Sequence, residues 1–211
     1  MAARLAKVYG TEMDKVNCPF FYKMGACRYG DSCERIHNKP PISETVCLKH
    51  MYENNAVETA LIDGHNVSRQ DAEAAMIKYE NFYDEIFKEM MKYGEIEDMI
   101  VVDNLGDHIV GNVYVKYSDE DYAENAQKHI NGRFFNSKKI EAEYSPVTDF
   151  LNAKCKQYID GSCKRGGYCN YMHIKPLSMS FKKDLFGQMY IEYPHYREKK
   201  PEEDSDSDDW R

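Results

Sequence analysis

No apolar run in this chain of 211 residues approaches the roughly 20 needed to cross a membrane, and Met1 to Asp14 lacks an apolar stretch of secretory-leader length. A soluble chain in a reducing compartment, with no membrane partner, is the expectation. Neither a nucleophile–base pair nor a phosphate-cradling glycine loop is present, so no enzyme is expected. An overall basic charge is missing too: the net charge is −8. Tryptophan is nearly absent, its single copy being Trp210 in an acidic tail, read as an exposed tail residue.

Cysteine, by contrast, is plentiful and ordered. Six of the seven fall into two copies of one spacing, Cys18-x8-Cys27-x5-Cys33-x3-His37 and Cys155-x7-Cys163-x5-Cys169-x3-His173. Three thiolates and one imidazole close a tetrahedral shell around Zn2+ and leave no position open for a substrate. Two structural zinc ions are therefore expected, and a disulfide framework is not. Cys47 is left over inside an apolar run.

The negative total hides an uneven distribution. From Lys15 to Lys39 five cations (Lys15, Lys23, Arg28, Arg35, Lys39) face Asp31 and Glu34, and from Lys154 to Lys175 five (Lys154, Lys156, Lys164, Arg165, Lys175) face Asp160 alone. Acid gathers between Asp71 and Asp98 and in the tail from Pro201 to Asp209. Surfaces of opposite sign imply two kinds of partner.

Between the fingers the periodicity switches repeatedly. Thr45–Tyr52 reads as a strand, Glu53 to Val67 as a polar loop, and Arg69–Lys92 as a long helix capped by Ser68, with Gly94 just past its end. Strands are expected at Ile96–Val102 and Ile109–Tyr117, the Asn104–Asp107 turn lying between them. Asp119 caps a second helix that stops at about Ile130, before Asn131-Gly132, and Lys139–Tyr144 supplies the last strand. The order βαββαβ makes an α+β, ferredoxin-like domain of the RNA-recognition-motif layout. The expected division is finger one over 1–40, the central domain over 43–147, finger two over 148–176, and 177–211 as a C-terminal segment. That segment holds a short helix near Phe181–Tyr190 and a disordered acidic end.

The third strand of an RNA-binding version of this fold carries aromatic rings that stack bases. Here the aligned stretch is Val110-Gly-Asn-Val-Tyr-Val-Lys-Tyr117: Asn112 replaces a ring, and the companion position on the first strand is Cys47. Only Tyr114 remains to stack or pack, so the sheet is a poor RNA platform. On the helix side, Asp84, Glu85 and Glu89 lie at helical spacing, and Arg133, Phe134 and Phe135 follow the second helix. Acid beside an aromatic loop suits a basic peptide that inserts one large apolar side chain.

A CCCH finger, a degenerate recognition motif containing Asp103-Asn-Leu-Gly-Asp-His-Ile-Val-Gly-Asn-Val-Tyr-Val115, the Arg133-x-Phe135 loop, Ser145-Pro-Val-Thr-Asp-Phe150 and a second CCCH finger together resemble the small subunit of the U2 snRNP auxiliary factor, over roughly residues 1–176. The resemblance implies a nuclear pre-mRNA splicing factor that recognises the AG at the 3′ splice site and heterodimerises with a large subunit on the pyrimidine tract. It also implies that Arg133 and Phe135 anchor that subunit's peptide and that Glu85 and Glu89 attract its basic residues. Phe134 stands where the family commonly has tryptophan. Glu34 stands where a small polar residue facing RNA is more usual, and no arginine-serine-rich C terminus follows.

Candidate contacts to single-stranded pre-mRNA are Phe20, Arg28, Tyr29, Glu34 and Arg35 in finger one and Tyr158, Lys164, Arg165, Tyr168 and Tyr171 in finger two, all within a few residues of a zinc ligand. One finger offers few contacts, so both are expected to grip one RNA segment. The alternative is a tandem CCCH regulator of mRNA decay that binds AU-rich RNA. Such proteins keep their fingers close, whereas 118 positions (155 − 37) separate His37 from Cys155 here.

Overall fold

A computed structural model of the protein describes residues 16–198. The expectations for the acidic end and for Trp210 lie outside the described residues. Of these, residues 16–176 form one compact unit, and residues 177–198 belong to a second.

Finger one opens with α1 (Pro19–Met24), which has Cys18 at its N-cap and Pro19 at its first position, where a missing N–H costs nothing. Gly25 ends it in the left-handed conformation at φ 69°, and a Cβ there would sit 2.6 Å from Ser145 Oγ, so glycine is required twice over. The central sheet consists of β1 (Thr45–Leu48), β2 (Ile96–Val101), β3 (Val113–Tyr117) and, further along, a strand at Ala142–Tyr144. The spatial order is β2–β3–β1 and then that last strand, with every neighbour antiparallel, as a ferredoxin-like domain demands.

Between β1 and β2 the chain forms two helices. The segment read as a polar loop contains α2 (Ala56–Ile62), closed by a capping box in which Glu58 N donates to Asn55 Oδ1 and Asn55 N to Glu58 Oε2, both at 2.8 Å. The long helix α3 (Arg69–Met90) starts as expected, Ser68 accepting from Asp71 N. After β3 comes α4 (Glu120–Ile130), capped by Asp119, and then a hairpin of β4 (Phe134–Phe135) and β5 (Lys138–Lys139), before β6 (Ala142–Tyr144) joins the sheet. The single strand expected at Lys139–Tyr144 is thus two pieces in two different sheets.

Two other strands are shorter than their composition suggests. β1 stops at Leu48, because His50 turns into the left-handed region at φ 49°. The third strand begins at Val113 and not at Ile109. Gly111 turns at φ 63°, with its α-carbon so close to the Tyr52 carbonyl that a Cβ would lie 1.9 Å from the oxygen, and residues 106–112 bond among themselves as turns.

The sheet's helix side is filled by Tyr79, Tyr83, Ile86, Phe87 and Met90 of α3 and by Ala123, Ala126 and Ile130 of α4, all buried. Tyr83 donates to the Met99 carbonyl and Tyr117 to that of Met90, tying helix to strand. On the other face Ile100, Tyr114 and Cys47 form one row across β2, β3 and β1. This row lies in one apolar cluster with Met24 of finger one, with Phe150 and Ala153 of α5 (Phe150–Ala153), and with Met172 of finger two. The face on which an RNA-binding recognition motif would stack bases is therefore covered by the two fingers. In the second unit, α7 (Met179–Glu192) and the short α8 (His195–Glu198) follow finger two's own short helix α6 (Lys156–Ile159). The Tyr193 ring stacks on Tyr196 between α7 and α8.

Candidate metal centres and nucleic-acid interface

Both fingers are built on one plan. In each, the residue before the first cysteine bridges the residue before the histidine in parallel, Asn17 with Ile36 and Lys154 with Met172. A short helix follows the first cysteine, and one 3₁₀ turn, Gly30–Ser32 or Gly166–Tyr168, precedes the third. The result draws Cys18, Cys27, Cys33 and His37 together, and likewise Cys155, Cys163, Cys169 and His173, with donor atoms all within 4.8 Å of one another.

These residues fit zinc. Tetrahedral coordination at a Zn–S distance of about 2.3 Å places sulfurs about 3.8 Å apart. Cys155 Sγ lies 3.8 Å from both Cys163 Sγ and Cys169 Sγ. The Nε2 atoms of His37 and His173 are buried with no hydrogen-bond partner, which is costly for an imidazole unless a cation takes the lone pair.

An aromatic ring three residues after the first cysteine stacks on the ligand histidine in both copies: Phe21 on His37 at 4.6 Å and Tyr158 on His173 at 4.0 Å. Tyr158, a candidate for RNA, is thus packed against the metal ligand, and its hydroxyl donates to Asp103 Oδ2 at 3.1 Å. Burial, then Asp103, push that hydroxyl's pKa up. Arg165 is similarly engaged, its Nε donating to Cys169 Sγ at 3.1 Å and its Nη2 to Gln157 Oε1 at 2.9 Å. The sulfurs hold its guanidinium firmly charged. Three thiolates around a divalent ion leave one negative charge, which Arg165 offsets.

The fingers meet. Arg28 Nη2 of finger one donates to the Tyr168 carbonyl of finger two at 3.1 Å, and the Phe20 and Tyr171 rings touch edge to face at 6.2 Å. Beside this seam Tyr29 and Tyr168 are each 62% exposed. Arg35 and Lys164 are exposed and make no side-chain hydrogen bond or ion pair among the described residues, and Glu34, next to Arg35 in the chain, is exposed too.

Sequence reasoning missed how finger two is fastened. Asn104, fully buried, donates to the carbonyls of Cys169 and Tyr171 and accepts from His173 N at 2.8 Å. Next to it Asp103 pairs with Lys175 at 2.8 Å, and Lys175 reaches Glu58 of α2 at 3.2 Å, while Tyr52 donates to the same Glu58 carboxylate. Burial raises the Asp103 carboxyl, with Lys175 only partly offsetting it. For Glu58 the opposite holds: burial is outweighed by the Asn55 N–H, Tyr52 and Lys175, and its carboxyl is lowered. The sequence carries no local signal for Asn104, which lies just past β2, next to the bridge between Val102 and Ile174 of finger two's exit segment.

On the helix side a groove of about 180 Å³ is floored by Leu48, Met51, Ile86, Met90, Ile130 and Ile140 and rimmed by Glu85, Glu89, Arg133, Phe134 and Phe135. Five of the six expected partner residues therefore share one site. Asp84 is instead turned to Lys88 at 2.8 Å and does not line the groove. Phe134 stands 71% exposed, whereas Phe135 packs edge-on against Phe82. Burial alone would raise the Glu89 carboxyl, but Lys92, Tyr93 and Arg133, the last at 2.5 Å, hold it down to about 2.

A recognition-motif core with its sheet face roofed by two CCCH zinc fingers defines a class of zinc-dependent, RNA-binding-type proteins. The family model for C-x8-C-x5-C-x3-H zinc fingers matches residues 13–39, and that for the RNA recognition motif matches residues 77–141. The splicing factor U2AF 26 kDa subunit of Rattus norvegicus is 51% identical over 191 residues, covering 89% of this chain and 86% of its own length. The U2af 38 kDa subunit of Drosophila melanogaster is 49% identical (89% and 72% covered), and the U2AF 26 kDa subunit of Homo sapiens is 48% identical (89% and 86% covered). The chain belongs to the family of U2AF small-subunit splicing factors.

Proposed function

We propose that this protein recognises the AG dinucleotide at the 3′ end of introns with both fingers at once, in the nucleus, while its helix-side groove holds the large U2AF subunit on the adjoining pyrimidine tract. The observation that carries the reading is the seam. With the sheet face covered, accessible aromatic and cationic groups suited to single-stranded RNA are on the finger loops, and the seam brings loops from both ends of the chain together. Tyr29 and Tyr168 offer rings for stacking, each stacked base being worth about 1–3 kcal/mol, while Arg35 and Lys164 offer charge to phosphate. Glu34, exposed between Cys33 and Arg35, weakens phosphate contacts or shifts the preferred neighbouring base. Tyr158 and Arg165, occupied by the metal centre, shape this surface from behind.

The groove supports the second half of the reading. An apolar floor under two carboxylates suits a basic segment with one large apolar anchor, and Phe134 offers a knob to the partner in return. Tethering of this kind raises the local concentration of RNA enough to make weak dinucleotide reading useful.

A competition assay with the zinc-loaded chain tests the reading: short RNA ending in UAG displaces a labelled UAG probe, and RNA ending in UAC does so far less well. Equal competition by both contradicts it. Tagged chain expressed in cells brings a pyrimidine-tract-binding protein with it in one-to-one ratio; recovery as a monomer without such a protein contradicts the partner half.

A further inference from the structure

We propose that Arg28 is a clasp that sets the register of the two fingers' exposed loops, acting on RNA through the placement of Tyr29 and Tyr168 and not by touching a phosphate or base. The proposal rests on the reading of a shared RNA surface given above. Arg28 directly follows the ligand Cys27, and the carbonyl it meets at 3.1 Å belongs to Tyr168, directly before the ligand Cys169. One hydrogen bond between residues 140 positions apart thus links the surroundings of one metal centre to those of the other.

The internal repeat sharpens the point. Counting from the second cysteine, Arg28 corresponds to Lys164 and Tyr29 to Arg165. In finger two the cation at the second of these positions turns inward to its own sulfurs, whereas finger one has a tyrosine there, and its cation one residue earlier reaches across the seam. Guanidinium suits that task, being planar, permanently charged and richly supplied with donors.

Besides the clasp, the seam has the Phe20–Tyr171 edge contact at 6.2 Å. Each finger is also seated on the sheet, finger one through Met24 and finger two through Asn104 and Met172, so the clasp fixes the finer register of the two exposed loops. The exposed rings of Tyr29 and Tyr168 belong to the residue after Arg28 and to the residue it grips, so losing the clasp lets the two rings drift apart. A phosphate contact and a clasp differ in what they do to salt dependence, because only the former releases counterions, lowering the slope of log K against log salt by about 0.7 for each single-strand phosphate lost.

The experiment measures binding of labelled RNA ending in UAG or UAC to the full zinc-loaded chain across a salt series, with zinc content checked at two per chain. For R28A the expected result is roughly tenfold weaker UAG binding, an unchanged salt slope and a collapsed UAG-to-UAC ratio. K164A serves as comparator, its slope falling by about 0.7 while the ratio persists. A lowered slope with an intact ratio in R28A, or no change at all, overturns the clasp. If R28A does not retain both zinc ions, R28K carries the test: charge is kept and the fork is lost, so the ratio falls at constant slope, and an R28K chain identical to the parent overturns the proposal. A parent that binds both RNAs alike sinks the acceptor-site reading, and the clasp is then judged on affinity and slope alone.

Discussion

Individual residues divide here between those whose chemistry dictates their position and those placed by the fold. The eight zinc ligands belong to the first kind: spacing fixes them, because three sulfurs and a nitrogen within reach of one small cation can be arranged in few ways. Asn104 belongs to the second, since nothing local distinguishes it from any other turn asparagine. Replacing it with alanine strands the carbonyls of Cys169 and Tyr171 and the N–H of His173, and N104A should lower thermal stability by about 1–3 kcal/mol and speed zinc loss to a chelator. Glu89 yields a pH prediction. Its carboxyl, at about 2 in the folded chain, lies below the roughly 4.3 of an unfolded glutamate, so its stabilisation is complete above pH ~5 and fades as pH falls toward 2. Urea unfolding across that window should show the parent losing stability that E89Q, already weaker at pH 7, no longer has to lose.

Among the elements, the two long helices were legible because their caps and apolar spacing agree, Ser68 and Asp119 standing where the helices begin. α2 was missed although Asn55-x-x-Glu58 is a capping-box pattern, because it is only seven residues long and its buried residue is Glu58, held by the Lys175–Asp103 cluster in a contact across 117 positions (175 − 58) that sequence alone does not reveal. Truncating Glu58 leaves Lys175 buried with less compensation, and E58A should cost about 3–5 kcal/mol, against about 1 kcal/mol for N55A, in chemical denaturation. β-branched residues at 109–110 suggested a longer third strand; the steric demand at Gly111 outweighs that preference. The Phe134–Lys139 hairpin escaped notice for want of length, yet it carries the knob and rim of the groove. F134A should leave RNA binding intact and weaken capture of a basic peptide bearing one aromatic anchor by about tenfold or more, as calorimetry would report.

At the scale of the molecule, the degenerate recognition motif and the two fingers explain each other. A sheet that stacks bases needs exposed rings, whereas Tyr114 is fully buried and donates to the Met24 carbonyl of finger one, and Cys47 lies beneath the same cover with its thiol pushed up to about 12 by burial. Sequence showed that the rings were gone; only the fold shows what replaced RNA on that face. Zinc removal should uncover it, so Cys47 should resist thiol reagents in the zinc-loaded chain and react after chelation, as mass mapping of the label can establish. The central claim is that the fingers act as one surface, and the most direct measurement is RNA affinity after breaking each metal centre alone, with C27S and with C163S. Loss of most UAG binding in either variant is the predicted result; full binding with one finger destroyed would contradict the account.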